Sequence, residues 1–258
     1  MEARRTFDGV AATYHLIRPR YPTATFDALF ALLPERPSLV EVGPGTGQAT
    51  RDLLARGATV VAVELGPSLA AVLRDTLPSD DLEVVVGDFE QVDLGDRRFD
   101  GVVSACAYHW IPPLAQASRP AELLRPGGIV GIISLIQVAS PDDLGFFAAS
   151  QPIYERYGEP HTGPLPPQRH EAVPDVDAVL RADPRFDDVT HHAWDWNQTY
   201  TSAQYRMLMD SYSGTQLMEP SLRTGLLDDM QAFVDAEFGG FVTRPLVVTL
   251  TTARRVQD

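Results

Sequence analysis

Residues 39–50, LVEVGPGTGQAT, decide the reading of this chain. An apolar run carries an acid, Glu41, just ahead of three glycines at alternate positions, Gly43, Gly45 and Gly47, after which the sequence turns helical. Glycine is favoured where a backbone must turn sharply or lie against a ligand. The spacing is G-x-G-x-G, not the G-x-G-x-x-G of a dinucleotide loop, and no Lys-Ser/Thr pair follows to make a P-loop. An acid directly beneath the loop would repel a pyrophosphate. It suits a ligand that carries positive charge.

Working outward, apolar runs rich in Val and Ile recur at 38–42 (SLVEV), 59–64 (TVVAVE), 82–88 (LEVVVGD), 99–105 (FDGVVSA) and 128–136 (GIVGIISLI). Continuous apolar runs of this length read as strands buried on both faces. Helix-like stretches lie between and before them, at 23–33 (with Thr23 or Thr25 as N-cap), 48–57, 67–77 and 111–128. Strands alternating with helices predict a parallel sheet with right-handed crossovers. The alternation breaks after residue 137. Residues 142–157 read as helix, and 158–174 carry five prolines and read as irregular. Strand-like segments at 187–196 and 244–255 enclose helices at 202–212 and 220–238.

The spacing puts an acid at each of three successive strand tips. Glu41 sits under the glycine loop, and Glu64 closes the second strand, where a carboxylate can accept both hydroxyls of a ribose. Asp88 closes the third beside Phe89, placed to accept from an exocyclic amine while an aromatic ring covers a base. Together they ask for a ligand with ribose, adenine and an ammonium or sulfonium.

The series VEVGPGTG, VVAVE, VVVGDFE, FDGVVSACAYHW and LLRPGG resembles the class I S-adenosylmethionine-dependent methyltransferases. The likeness is to their small-molecule group, of the trans-aconitate-like and ubiquinone-biosynthesis-like kind. The entrance FDGVAATYHLIRPRYP (7–22) and the ending from YTSAQYRMLMDSYSG to TLTTARR are similar to the same group, so the resemblance spans essentially the whole chain. It implies an α/β, Rossmann-like, seven-stranded and mostly parallel sheet with the last strand antiparallel, helices on both faces and helical lid insertions. It implies one methyltransferase domain over 1–258: an N-terminal flap at 1–22, a cofactor core at 38–136, lid insertions at 137–186 and 200–240, and final strands at 187–199 and 241–258. Carried over position by position, Glu41, Gly43, Gly45, Thr46 and Gly47 surround the aminocarboxypropyl arm of S-adenosylmethionine. Glu64 and Leu65 take the ribose end, Asp88 and Phe89 hold adenine, backbone at Ala105 faces the methionine part, and Tyr14 and Arg18 fold across the cofactor.

Methyl transfer is an in-line displacement, served by positioning and exclusion of water. His109, in SACAYHWIPP, follows the fourth strand and in this fold overlooks the transferring methyl, a position for a general base near neutral pH; shaping the pocket is the alternative. Tyr14 joins it as a catalytic candidate. Tyr200, Tyr205 and Tyr212 suit either an acceptor wall or core packing; Arg206 and Arg223 could bind an acidic acceptor, although exposed arginines on helices usually bind nothing. His191 and His192 are adjacent and point to opposite faces of a strand, so no metal site is expected.

Composition narrows the partners. The 258 residues carry 35 acids against 21 basic residues, all arginine, for a net charge of −14. Phosphate contacts supply most nucleic-acid affinity, so no nucleic-acid partner is expected, and an anionic membrane surface is disfavoured for the same reason. The single cysteine, Cys106, permits no intrachain disulfide and reads as a small buried hydrophobe. No apolar signal core or membrane-length run is visible, which points to a cytoplasmic protein. The expected reaction is methylation of a small-molecule acceptor in secondary metabolism. Its rivals are a non-transfer reaction on the same cofactor, such as cyclisation, and a nicotinamide-dependent oxidoreductase. Oligomeric state is left open.

Overall fold

A computed structural model describes residues 17, 20–158, 166–172 and 176–257. Seven strands form one sheet: β1 (Ser38–Val42), β2 (Thr59–Glu64), β3 (Leu82–Val86), β4 (Phe99–Ala105), β5 (Leu124–Gln137), β6 (Phe186–Thr201) and β7 (Phe241–Arg255), in the order β3-β2-β1-β4-β5-β7-β6. β1 pairs in parallel with β2 and β4, β2 with β3, and β4 with β5. β7 runs the other way. Val256 N donates to Arg185 O, Thr190 bonds Thr252, and Thr199 bonds Thr243, so numbers fall along one strand as they rise along the other. The expected seven-stranded sheet with its last strand antiparallel is what the chain forms.

The helices are α1 (Thr23–Phe30), α2 (Thr50–Ala55), α3 (Pro67–Thr76), α4 (Pro113–Leu123), α5 (Phe146–Arg156), α6 (Val176–Ala182), α7 (Ser202–Asp210), α8 (Ser213–Leu217) and α9 (Pro220–Glu237). Their starts follow local chemistry. Pro67 and Pro220 occupy the first helical position, where a missing N–H costs nothing. Thr201 and Gln204 close a capping box on α7. At α1 neither threonine caps; Pro22 takes the cap position without a side-chain bond.

Two compact units divide the chain. Among the described residues, one comprises 20–135, 176–194 and 248–257, and the other 136–158, 166–172 and 195–247 together with Ile17. The first unit is built on β1–β4, where Leu39, Val40, Val60, Ala62, Val102 and Val103 are at most 2% exposed. Each such Val or Leu side chain contributes about 1.5–3 kcal/mol relative to exposure. In the second unit α9 buries Leu226, Leu227, Met230 and Val234, one stripe at helical spacing. Phe146 packs edge-on to Tyr205 at 5.2 Å and to Phe238 at 5.3 Å.

Several elements depart from expectation. The Pro-Gly-Gly at 126–128 does not separate helix from strand: α4 ends at Leu123, β5 begins at Leu124, and the register slips between Phe99 and Gly101 where Gly127 adopts a φ of 78°. β3 stops at Val86, leaving Asp88 in the turn beyond it. β6 extends to Thr201. The helix α6 occupies residues to which no element was assigned.

Candidate functional site

The carboxyl ends of β1, β2 and β4 are tied together at the glycine loop. Gly43 N donates to Val63 O at 2.9 Å, and the buried Ser104 hydroxyl donates to Val42 O at 3.0 Å. Gly43 is left-handed at φ 65°, and a Cβ there would lie 2.5 Å from Ala107 Cβ, so the β1 and β4 loops approach as closely as a missing side chain allows. A Cβ on Gly47 would meet Leu73 and Leu77 at 2.7 Å. Two of the three glycines therefore serve packing of the loop itself. The third, Gly45, gives its N–H to Glu64 Oε2 at 2.9 Å, while Gly66 N donates to Oε1 at 2.8 Å. Glu64 is 5% exposed and stitches the first βα loop to the second. Thr46 is fully buried and accepts from the Gln48 side-chain amide at 2.9 Å.

Glu41 is the unusual group. It is 1% exposed, and its Oε2 has no hydrogen-bond partner among the described residues. Burial pushes its pKa from 4.5 up to about 7, with the neighbouring Glu64 charge adding to the rise and Thr50 opposing it. A buried carboxylate with an unsatisfied oxygen is costly unless something pairs with it. Two acids side by side under a loop of N–H groups make a receptor for a cation.

The remaining predicted contacts lie at or just beyond the ends of β2, β3 and β4. Asp88 O accepts from Val92 N at 2.8 Å and Gln91 N at 3.0 Å, closing the turn after β3. Phe89 is 5% exposed and belongs to the apolar cluster with Val63, Tyr108 and Ile111, so its ring supports this turn from within the core. Leu65 and Ala105 are half-buried at the tips of β2 and β4. Cys106, expected to be buried, is half-buried and left-handed at φ 56°, a conformation costing about 1–2 kcal/mol for a residue with a Cβ. The reversal it makes leads into a single turn, Tyr108–Trp110. There the His109 ring lies 4.8 Å from that of Trp110, and partial burial lowers its pKa below the ordinary 6.5. The ring is thus mostly neutral at pH 7 while still reaching solvent.

Tyr14 and Arg18 lie outside the described residues. Arg206 and Arg223, the cations considered for an acidic acceptor, are committed to Asp228 at 2.5 Å and Asp210 at 2.6 Å. The residue that sequence reading missed is Arg244, which bonds Tyr212 and Gln137. Its only sequence signal was a lone charge at the head of an apolar strand. Among the described residues no cluster of three His, Cys, Asp or Glu could hold a metal, and no helix is long and apolar enough to cross a membrane.

Comparison with known proteins identifies this arrangement. A methyltransferase-domain family model matches residues 40–132, the span that carries Glu41, Glu64, Asp88 and His109. An uncharacterized methyltransferase of Mycobacterium bovis is 30% identical over 223 residues, covering 86% of this chain and 83% of that protein. A ribosomal RNA small subunit methyltransferase A of Thermosynechococcus vestitus is 30% identical over 157 residues, 55% of this chain and 57% of its own. A solved structure from Anaeromyxobacter dehalogenans, described as a type II methyltransferase, shares the fold at TM-score 0.60 and 19% identity over 93% of this chain and 97% of that one. The chain belongs to the class I S-adenosylmethionine-dependent methyltransferases. Their cofactor fits the residues found: an ammonium and a sulfonium for the unsatisfied Glu41, and ribose hydroxyls for Glu64.

Proposed function

We propose that this enzyme transfers the methyl group of S-adenosylmethionine to a small-molecule acceptor, and that Glu41 is the group against which the cofactor's aminocarboxypropyl cation is held. The observation that carries this reading is the buried, incompletely bonded Glu41 carboxylate beneath the glycine loop. Gly43, Gly45, Thr46 and Gly47 form the loop over that arm. Glu64, which holds the Gly45 and Gly66 amides at the tip of β2, accepts the ribose hydroxyls. Asp88 takes the adenine amine, with Phe89 fixing the turn that carries it and Leu65 and Ala105 lining the cavity. Tyr14 and Arg18 keep their proposed place in a flap over the cofactor.

The cofactor supplies an electrophilic methyl on sulfur, and the acceptor atom gives up a proton as it is methylated. His109 is placed after β4, is mostly neutral at pH 7 and can take that proton. A small acceptor is favoured over nucleic acid by charge. A chain of net charge −14 with no lysine offers little to a phosphate backbone, although one of its relatives is a ribosomal RNA methyltransferase. No metal is needed for this chemistry.

Calorimetric titration with S-adenosylhomocysteine, with NAD in parallel, tests the cofactor assignment. Incubation with methyl-labelled S-adenosylmethionine, a metabolite extract and ribosomal RNA tests the acceptor. The expected result is S-adenosylhomocysteine binding, no NAD binding, and label in the low-molecular-weight fraction. Label in RNA alone would overturn the small-molecule reading.

A further inference from the structure

We propose that Arg244, framed by Tyr212 and Gln137, is an anion subsite that takes a carboxylate of the acceptor. Arg244 lies near the start of β7 and is half-buried. Its Nη1 donates to the Tyr212 hydroxyl at 2.7 Å and its Nη2 to Gln137 Oε1. A guanidinium carries five N–H donors, so three remain without an acceptor among the described residues. The partners it has are neutral. Tyr154, Tyr200 and Tyr205 lie close enough to feel its charge. A guanidinium keeps its charge throughout the physiological range. The tyrosines do not supply a counter-charge. Burial pushes Tyr205 up to about 12 and raises Tyr154 well above its usual value, so both stay protonated.

The contrast with neighbouring arginines makes the point. In the same unit Arg156 pairs with Asp229 at 2.6 Å, Arg169 with Asp195 at 2.9 Å, Arg206 with Asp228 at 2.5 Å and Arg223 with Asp210 at 2.6 Å. Arg244 alone among these has no carboxylate of the described residues within 4.0 Å, in a chain whose acids outnumber its arginines 35 to 21. A partly buried cation with no counter-charge among the described residues favours an incoming anion. A carboxylate matches the forked donors in shape and matches the single positive charge. A phosphate dianion would call for a second cation, and among the described residues none touches Arg244.

Only the description of the ligand as an acceptor rests on the methyltransferase reading; the carboxylate subsite itself does not. The test is saturation-transfer NMR on the full chain, saturated with S-adenosylhomocysteine, using benzoate, benzamide and phenyl phosphate as probes. Benzoate is expected to bind about tenfold more tightly than benzamide, the worth of one charge-assisted hydrogen bond. Arg244→Gln is expected to erase that preference with S-adenosylhomocysteine affinity kept. Equal binding of benzoate and benzamide overturns the proposal, as does a preference that survives in Arg244→Gln, or phenyl phosphate binding more tightly than benzoate. Should Arg244→Gln fail to fold, Tyr212→Phe decides. Loss of its hydroxyl frees the guanidinium from its set position and weakens benzoate severalfold, and unchanged benzoate binding refutes the subsite. Failure of the wild type to bind S-adenosylhomocysteine would instead count against the methyltransferase reading.

Discussion

Binding of the cofactor should expel a proton, and Glu41 should be its source. The carboxyl is 1% exposed, and burial raises its pKa from 4.5 to about 7. That shift of about 2.5 units sets about 3 kcal/mol against the ionised form in the ligand-free protein. Because the folded pKa is raised, the group's contribution to stability is complete below about pH 4.5 and is lost as pH climbs through 7. An ammonium or sulfonium placed against the carboxylate reverses the balance and pulls the pKa down. Ligand binding therefore releases about 0.9 proton at pH 6, about 0.5 at pH 7 and about 0.1 at pH 8, the protonated fractions of an acid of pKa 7. S-adenosylhomocysteine serves as the probe, since its ammonium stays charged across this range.

The assay is calorimetric titration in pairs of buffers with different ionisation enthalpies. The slope of apparent enthalpy against buffer enthalpy counts the protons. Glu41→Gln is expected to flatten that slope at all three pH values. It is also expected to be more heat-stable than wild type at pH 8, where the native carboxyl must be ionised and buried. His109 adds little at pH 7, because burial already keeps its pKa below 6.5. A slope of zero at pH 6 in the wild type, or an undiminished slope in Glu41→Gln, would refute the assignment of Glu41 to the cofactor cation.

Three further outcomes follow from the same geometry. Glu64→Ala strips the acceptor from the Gly45 and Gly66 amides as well as from the ribose, so S-adenosylhomocysteine affinity should fall by about 1–3 kcal/mol and the melting temperature with it; unchanged affinity in titration removes the ribose role. Gly43→Ala drives a Cβ to 2.5 Å from Ala107 in a left-handed backbone, and denaturant melts should show a loss of about 1–3 kcal/mol; a neutral result would mean the loop is not packed as described. For His109, kcat should rise with pH through a value below 6.5 and level off by neutrality, and His109→Gln should lower kcat about 10²–10⁴-fold with S-adenosylhomocysteine binding kept; an unaltered rate leaves it as a pocket wall.

The parts of this fold that could be read in advance are those whose placement is local. β1, β2 and β4 match their apolar runs at both ends because strands buried on both faces leave no polar position to confuse the pattern. β6 is longer than it reads. It is an edge strand whose burial alternates along Phe186–Thr201, and the His, Asp and Asn on its open face carry no strand signal. The start of β5 was hidden because Pro-Gly-Gly reads as a stop, whereas here it forms the register slip opposite β4. The placement of Glu41 and Glu64 beside the glycine loop was legible because a strand tip fixes where a side chain begins. The burial of Phe89 was not, since the core that takes its ring is assembled from Val63, Tyr108 and Ile111 on other segments.

Arg244 shows where such reading stops. Sequence offers Arg206 and Arg223 as cations on helices and gives no reason to prefer Arg244, which sits in a strand ahead of a proline. Whether an arginine is available for a ligand depends on which acids fold within reach of it. Asp228 and Asp210 claim the first two, from 22 and 13 residues away in sequence. Arg244 meets Gln137 from 107 residues away and Tyr212 from 32, and both are neutral. An uncompensated charge is thus a tertiary property, invisible to spacing and composition alike. The chain's large excess of acid makes it harder still to foresee, because composition alone would supply every arginine with a partner. The acids at the glycine loop are written in contiguous motifs, and the surroundings of Arg244 in pairings that only the folded chain makes.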